Sequence, residues 1–148
     1  MDKYIFVVLT WDGCGHCTHF KMDKKYDGLS GLEKIRNMIN ELDNVTIVES
    51  NKPAYNSDNN ELYNILKGGV WFPSFYLFTV DEWNKVQSGI APSGLVMGGN
   101  VVNGEVKRDG SNISVKPSAI FKWVKENTQK GSYNHLSYER RLNNLWSS

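Results

Sequence analysis

The sequence is short of cysteine and has no long apolar run, and both shortages exclude classes of protein. Only 2 of its 148 residues are cysteine, too few for the disulfide framework of a small secreted domain. No apolar stretch approaches the roughly 18 residues that a membrane-spanning helix needs. The net charge is only +1 at pH 7, so charge gives no reason to expect nucleic acid or an acidic membrane surface as a partner.

The N-terminal residues also lack the marks of a secretion signal. Their apolar run, residues 4–9, has no basic segment before it and no small-residue cleavage site after it. We therefore expect a cytoplasmic protein. With 40% hydrophobic and 22% charged residues, the composition is that of an ordinary globular chain, and its length is enough for one domain with a substantial core.

Strand and helix patterns alternate along the chain and predict an α/β domain. Residues 4–9 and 45–48 form a predicted βαβ unit, whose strands should be parallel. Asn103–Gly104 between short apolar stretches predicts a hairpin, and Ser30 and Glu33 have the spacing of a capping box. A third strand is predicted at 74–80, helices at 15–24, 31–42, 58–67 and 118–128, and a loop-like stretch at 85–99.

Both cysteines lie in one short motif, Cys14-Gly15-His16-Cys17, between the first predicted strand and the first predicted helix. At this spacing the two thiols can close a small disulfide ring. Cys14 would sit at the helix N-terminus, where unpaired N–H groups and the helix dipole stabilise a thiolate. Cys17, one turn later, should be more buried and suited to resolve a mixed disulfide. A protonated His16 would stabilise the Cys14 thiolate further, which makes the disulfide more oxidising, and Gly15 leaves the approach to Cys14 open.

This motif after a buried strand, together with Phe72-Pro73-Ser74 leading into the third strand, resembles the thioredoxin superfamily, and CGHC is the form typical of protein disulfide isomerase active sites. The resemblance covers about residues 4–128. It implies a thioredoxin-like fold over residues 1–130, with a central mixed four-stranded sheet and helices on both faces. It also implies a cis Phe72–Pro73 bond that faces the cysteines beside a backbone that pairs with substrate. Residues 131–148 would form a tail or a short docked helix.

Two positions depart from the family pattern. Gly13 stands where the family usually has an aromatic residue, with Trp11 two positions earlier. Val8 stands where many thioredoxins have a buried carboxylate that accepts a proton from the second cysteine. Because valine cannot accept a proton, we expect the proton of Cys17 to pass to Asp12 or to water, or to be transferred slowly.

The sequence therefore predicts a thiol–disulfide oxidoreductase acting on protein substrates, with a thiol or disulfide as electron partner. Cys14 attacks, Cys17 resolves the mixed disulfide, and His16 tunes the pair. The dithiol serves as its own cofactor, and no metal is expected. The predicted substrate-binding residues are Phe72, Pro73, Ser74, Trp11 and Gly15.

Two other interpretations stay open at this point. The first is a binding module with little turnover that docks partners through the face between Trp11 and Pro73 and through the C-terminal tail. The second is a zinc or iron–sulfur protein, because Cys14, Cys17, His19 and His135 together would supply enough ligands. A CGHC pair also suits an oxidising compartment. A cytoplasmic protein would therefore serve a dedicated pathway, such as that of an intracellular pathogen or a virus (with the virion as a further location), or would act as a reductase.

Overall fold

The computed structural model describes residues 2–52 and 61–129. This part of the chain contains five helices and seven strands. The strands are β1 (Tyr4–Trp11), β2 (Val45–Lys52), β3 (Lys67–Gly68), β4 (Ser74–Thr79), β5 (Gly94–Val96), β6 (Gly99–Val102) and β7 (Glu105–Arg108). The helices are α1 (Gly15–Met22), α2 (Gly31–Ile39), α3 (Glu61–Ile65), α4 (Val80–Gln87) and α5 (Pro117–Thr128).

The strands form one mixed sheet in the order β2-β1-β4-β5-β6-β7-β3. Strand β1 pairs in parallel with β2 and antiparallel with β4, so the predicted parallel βαβ unit is confirmed. Strands β6 and β7 form the predicted hairpin. Its turn residues Asn103 and Gly104 both have positive φ, 49° and 81°, which is the conformation that favours Asn-Gly in a tight hairpin.

The predicted thioredoxin-like sheet of four strands with helices on both faces is wrong. The sheet has seven strands and curls into a half-barrel, although the class is still α/β. Strands β3 and β5 contain only two and three residues, too few to show a periodic pattern in the sequence. Gly94 in β5 reads as a loop residue, yet a Cβ there would lie 2.6 Å from the carbonyl oxygen of Leu77. Glycine thus permits the close approach of β5 to β4.

The interpretation of residues 85–99 as a loop is also wrong, because they contain the end of α4 and all of β5. Helix α4 follows β4 with no intervening loop. Thr79 caps it by accepting a hydrogen bond from the Glu82 amide at 3.2 Å. The β-branched pair Thr79-Val80 favours a strand by propensity. For this reason the start of the helix at Val80 could not be predicted from the sequence.

Strand β1 is buried on both faces, as its continuous apolar run predicts. Phe6 and Val8 pack into one core cluster and Val7 and Leu9 into the other. The first cluster includes Phe20 of α1, Leu32, Ile35 and Ile39 of α2, and Ile120 and Val124 of α5. The second includes Leu62 of α3, Val86 of α4, and Tyr76, Phe78, Val96, Val101 and Val106 of the sheet. Packing on both faces fixes the end of β1, from which the cysteine motif continues.

The predicted capping box of α2 is present. Ser30 Oγ accepts from the Glu33 amide at 3.1 Å, and Glu33 Oε1 accepts from the Ser30 amide at 3.0 Å. Because Ser30 is fully buried, water cannot replace its hydroxyl. We expect Ser30→Ala to lower the free energy of unfolding by about 1 kcal/mol, measured by urea denaturation. Ser88→Ala, at the exposed end of α4, is the control and should stay within about 0.5 kcal/mol of wild type; equal losses would contradict the cap.

Some predictions fall outside the described residues. Of the predicted helix at 58–67, the described part contains α3 at Glu61–Ile65, and the positions before 61 lie outside. The tail, 131–148, lies outside as well, together with His135. Among residues 2–52 and 61–129, no helix is both long enough and apolar enough to cross a membrane.

Candidate functional site

Cys14 lies at the junction between β1 and α1. The chain turns after Trp11, whose carbonyl oxygen accepts from the Cys14 amide at 3.1 Å. Cys14 is then the N-cap of α1, and its sulfur accepts a hydrogen bond from the Cys17 amide at 3.3 Å. The side chain is partly exposed. The first thiol of the motif therefore occupies the start of the helix, with its sulfur in contact with an amide donor of the first turn.

Cys17 lies in the first turn of α1 and is fully buried. Its sulfur accepts from the Trp11 amide at 3.4 Å. Burial raises the pKa of the Cys17 thiol to about 12, against the opposing effect of the Trp11 N–H. Cys14 and Cys17 are free cysteines and approach each other to 3.2 Å. The site thus combines an accessible sulfur with a buried thiol that is neutral at physiological pH.

The proline segment lies against the first cysteine, although 58 positions separate Cys14 from Phe72 in the sequence. The Cys14 thiol is 3.6 Å from the Phe72 carbonyl oxygen, to which it can donate. The Phe72–Pro73 bond is cis, as the sequence predicts, and Pro73 is buried. Ser74 is also buried, and its hydroxyl donates to the Tyr76 hydroxyl at 3.0 Å. Of these predicted substrate-binding residues, Phe72 lies closest to the motif, with its main-chain carbonyl beside the Cys14 sulfur.

Aromatic side chains form a rim next to this contact. The Trp11 and Phe72 ring centroids are 5.6 Å apart, and Tyr63 stacks on Phe72 at 5.8 Å. The Lys52 ammonium lies 4.6 Å from the Trp11 ring centroid and 4.9 Å from that of Tyr63. Trp11 and Phe72 are predictable from the sequence, whereas Lys52 and Tyr63 are not, because no motif or periodicity connects these two residues to the cysteines.

The structure also explains the glycine that stands directly before Cys14. A Cβ at position 13 would lie 2.6 Å from the Trp11 ring, so that ring fills the space beside Gly13. On the other side of Cys14, nothing lies within 4 Å of a Cβ placed on Gly15. The space beside Gly15 is therefore open toward the rest of the described residues, and its role at the approach to Cys14 stays a prediction.

The histidines near the motif are both exposed. His16 borders a groove of about 330 Å³ that runs along α1 and is also lined by Phe20 and Tyr26. His19 Nδ1 lies 2.7 Å from a carboxylate oxygen of Asp23. Both side chains are exposed at the surface of the helix. Among the described residues, no group of three or more His, Cys, Asp or Glu side chains could hold a metal ion.

Val8, which the resemblance puts at the place of a buried carboxylate, lies in the hydrophobic core. Val8 is 1% exposed and belongs to a core cluster. The Asp12 carboxylate is exposed and accepts a hydrogen bond from Asn51 Nδ2 at 2.8 Å. Among the described residues, the charged groups that act on Cys17 are Cys14 and Lys21, neither of which is a carboxylate.

A comparison of the chain with protein-family models, with curated proteins and with solved structures finds no match. The site itself indicates the class to consider: a pair of neighbouring cysteines, one accessible and one buried, at the start of a helix that faces a proline segment. Membership of the thioredoxin superfamily stays a prediction that rests on the CGHC motif and on Pro73.

Proposed function

We propose that this protein is a thiol–disulfide oxidoreductase that acts on protein thiols or disulfides. The observation that carries this proposal is the asymmetry of two cysteines that approach to 3.2 Å. Cys14 is accessible and accepts an amide hydrogen bond on its sulfur, whereas Cys17 is buried with a raised pKa. An accessible nucleophile backed by a protected second thiol is the arrangement that disulfide exchange needs.

In the reductive direction, the Cys14 thiolate attacks one sulfur of a substrate disulfide. A Cys14–substrate disulfide forms and the other substrate sulfur leaves as a thiolate, which takes a proton from water. Cys17 then loses its proton to water and attacks the Cys14 sulfur. The Cys14–Cys17 bond forms, the mixed disulfide breaks and the second substrate thiolate leaves, so that two electrons have passed from the protein to the substrate. Oxidation of a substrate dithiol is the same sequence reversed.

The surroundings of Cys14 support a protein substrate. The Phe72 carbonyl group lies beside the reactive sulfur and could pair with an extended segment of substrate. The rim formed by Trp11 and Phe72 offers apolar contact to side chains next to the substrate cysteine. The exposed His16 can add positive charge near Cys14 when it is protonated.

One observation favours a second candidate, a binding module with little turnover. Val8 lies in the apolar core, and the charges that act on Cys17 among the described residues do not include a carboxylate. Release of substrate would then be slow, and the protein would hold its partner as a long-lived mixed disulfide. The two candidates differ in the rate of the second step.

The test is single-turnover exchange between the reduced protein and a peptide disulfide. Alkylation followed by mass measurement counts the free thiols at each time. We expect two thiols to disappear together with the reduction of one peptide disulfide, because Cys14 and Cys17 are oxidised as a pair. Loss of one thiol into a lasting adduct would support the binding module instead, and two thiols that persist would contradict both.

A further inference from the structure

Four polar side chains form one hydrogen-bonded group, Thr10, Asp12, Lys21 and Asn51, here called the Asn51 cluster. Asn51 Oδ1 accepts hydrogen bonds from Thr10 Oγ1 at 2.8 Å and from Lys21 Nζ at 3.3 Å. Asn51 Nδ2 donates to Asp12 Oδ1 at 2.8 Å. Thr10 and Asp12 are the chain neighbours of Trp11, whose amide donates to the Cys17 sulfur.

Lys21 is the member of this cluster that carries positive charge toward Cys17. It follows Cys17 by four positions in α1, so the two side chains lie on the same face of the helix. Its charge lowers the pKa of the Cys17 thiol, in opposition to burial. Because Lys21 is partly buried, solvent screens this interaction less than it would at a fully exposed site.

The other charged side chains near α1 have hydrogen-bond partners of their own, and Asp12 is the acidic member of the Asn51 cluster. The Asp12 carboxylate accepts from Asn51. On α2, Glu33 is bound by Lys24 and by the Ser30 amide. Besides Lys21, the charge that acts on Cys17 among the described residues is that of Cys14, which disfavours the Cys17 thiolate.

We infer that Lys21, held in place by Asn51, supplies the positive charge that favours the Cys17 thiolate in the step that releases substrate. The inference rests on the proposed function. In this step the Cys17 proton goes to water, the Cys17 sulfur bonds to the Cys14 sulfur, and the substrate leaves as a thiolate. The positive charge of Lys21 thus favours the deprotonation of Cys17, a step in which Val8 cannot act as a base. Asn51 is a positioning residue, because it holds a flexible side chain in one place.

The test follows the rate at which Cys17 resolves a mixed disulfide between Cys14 and a chromogenic aromatic thiol. Because burial raises the pKa of the Cys17 thiol, little of it is thiolate at neutral pH, and this rate should rise with pH between about pH 6 and pH 9. We expect Lys21→Gln to lower it by about three- to tenfold at every pH in this range. Lys21→Arg should restore it, and added salt should narrow the difference between Lys21→Gln and wild type.

Two further variants separate charge from position. Lys122→Gln removes an exposed lysine of α5 and should leave the rate unchanged. Asn51→Ala keeps the Lys21 charge but removes its anchor, so we expect a smaller decrease than for Lys21→Gln. The inference is overturned if Lys21→Gln behaves like Lys122→Gln, or if Lys21→Arg fails to restore the rate. A wild-type protein that never resolves the mixed disulfide would contradict the proposed function itself.

Discussion

Replacement of Cys17 by serine is expected to trap the protein covalently on its substrate. Cys14 keeps its position at the start of α1, with the Phe72 carbonyl beside its sulfur, so it can still attack a disulfide. Serine cannot displace the substrate from the Cys14 sulfur. Incubation of Cys17→Ser with a peptide disulfide should therefore give close to one adduct per chain, seen by mass and reversed by an added dithiol.

The matched control is Cys14→Ser, which leaves the other cysteine in place. Cys17 is fully buried, and burial raises the pKa of its thiol to about 12, so it should react no faster than the uncatalysed background at neutral pH. Each variant keeps one cysteine and replaces the other by serine, which is similar in size. The two variants therefore differ only in which sulfur remains. Equal adduct formation by the two variants would show that the roles assigned to Cys14 and Cys17 are incorrect.

The largest expected loss of stability comes from Gly99→Val. Gly99 begins β6 and is buried. A Cβ at this position would lie 2.0 Å from the Lys107 carbonyl oxygen in β7. The obstacle is main chain and not the end of a flexible side chain, so the hairpin must shift to admit any larger residue. We expect the free energy of unfolding to fall by about 3 kcal/mol, at the upper end of overpacking effects, measured by urea denaturation.

Asn100→Val is the control for this prediction, because it adds the same β-branched side chain at the next position of β6. Asn100 is exposed, so the expected change is within about 0.5 kcal/mol. Strands β4 and β5 separate the hairpin from β1 in the sheet. Folded Gly99→Val should therefore keep its thiol–disulfide exchange. If the two variants unfold at the same urea concentration, the described pairing of β6 with β7 is contradicted.

The elements next to the cysteines could be predicted because local signals agree there. A continuous apolar run predicts the buried strand β1, a C-x-x-C pair follows it, and Ser30 and Glu33 mark the start of α2. Asn103-Gly104 predicts the hairpin in the same way. In each case the residues that determine the structure are neighbours in sequence, and propensity and pattern favour the same element.

The rest of the sheet could not be predicted because tertiary contacts determine it. β5 is a strand because Gly94 lets it approach β4, and β3 pairs with β7 over two residues. Neither strand is long enough to have a pattern of its own. The Asn51 cluster was missed for a similar reason, since Asn51 meets Lys21 only through the parallel pairing of β2 with β1 and the return of α1 along the sheet.

The central claim is that Cys14 and Cys17 form a reversible redox couple. It is tested most directly by equilibrating the protein against a glutathione redox series, with bound zinc and iron assayed on the same sample. We predict a single two-electron transition without bound metal. A potential near about −180 mV would indicate a disulfide donor or isomerase, and one near about −270 mV a reductase. The absence of a reversible transition, with metal bound to the purified protein, would contradict the account.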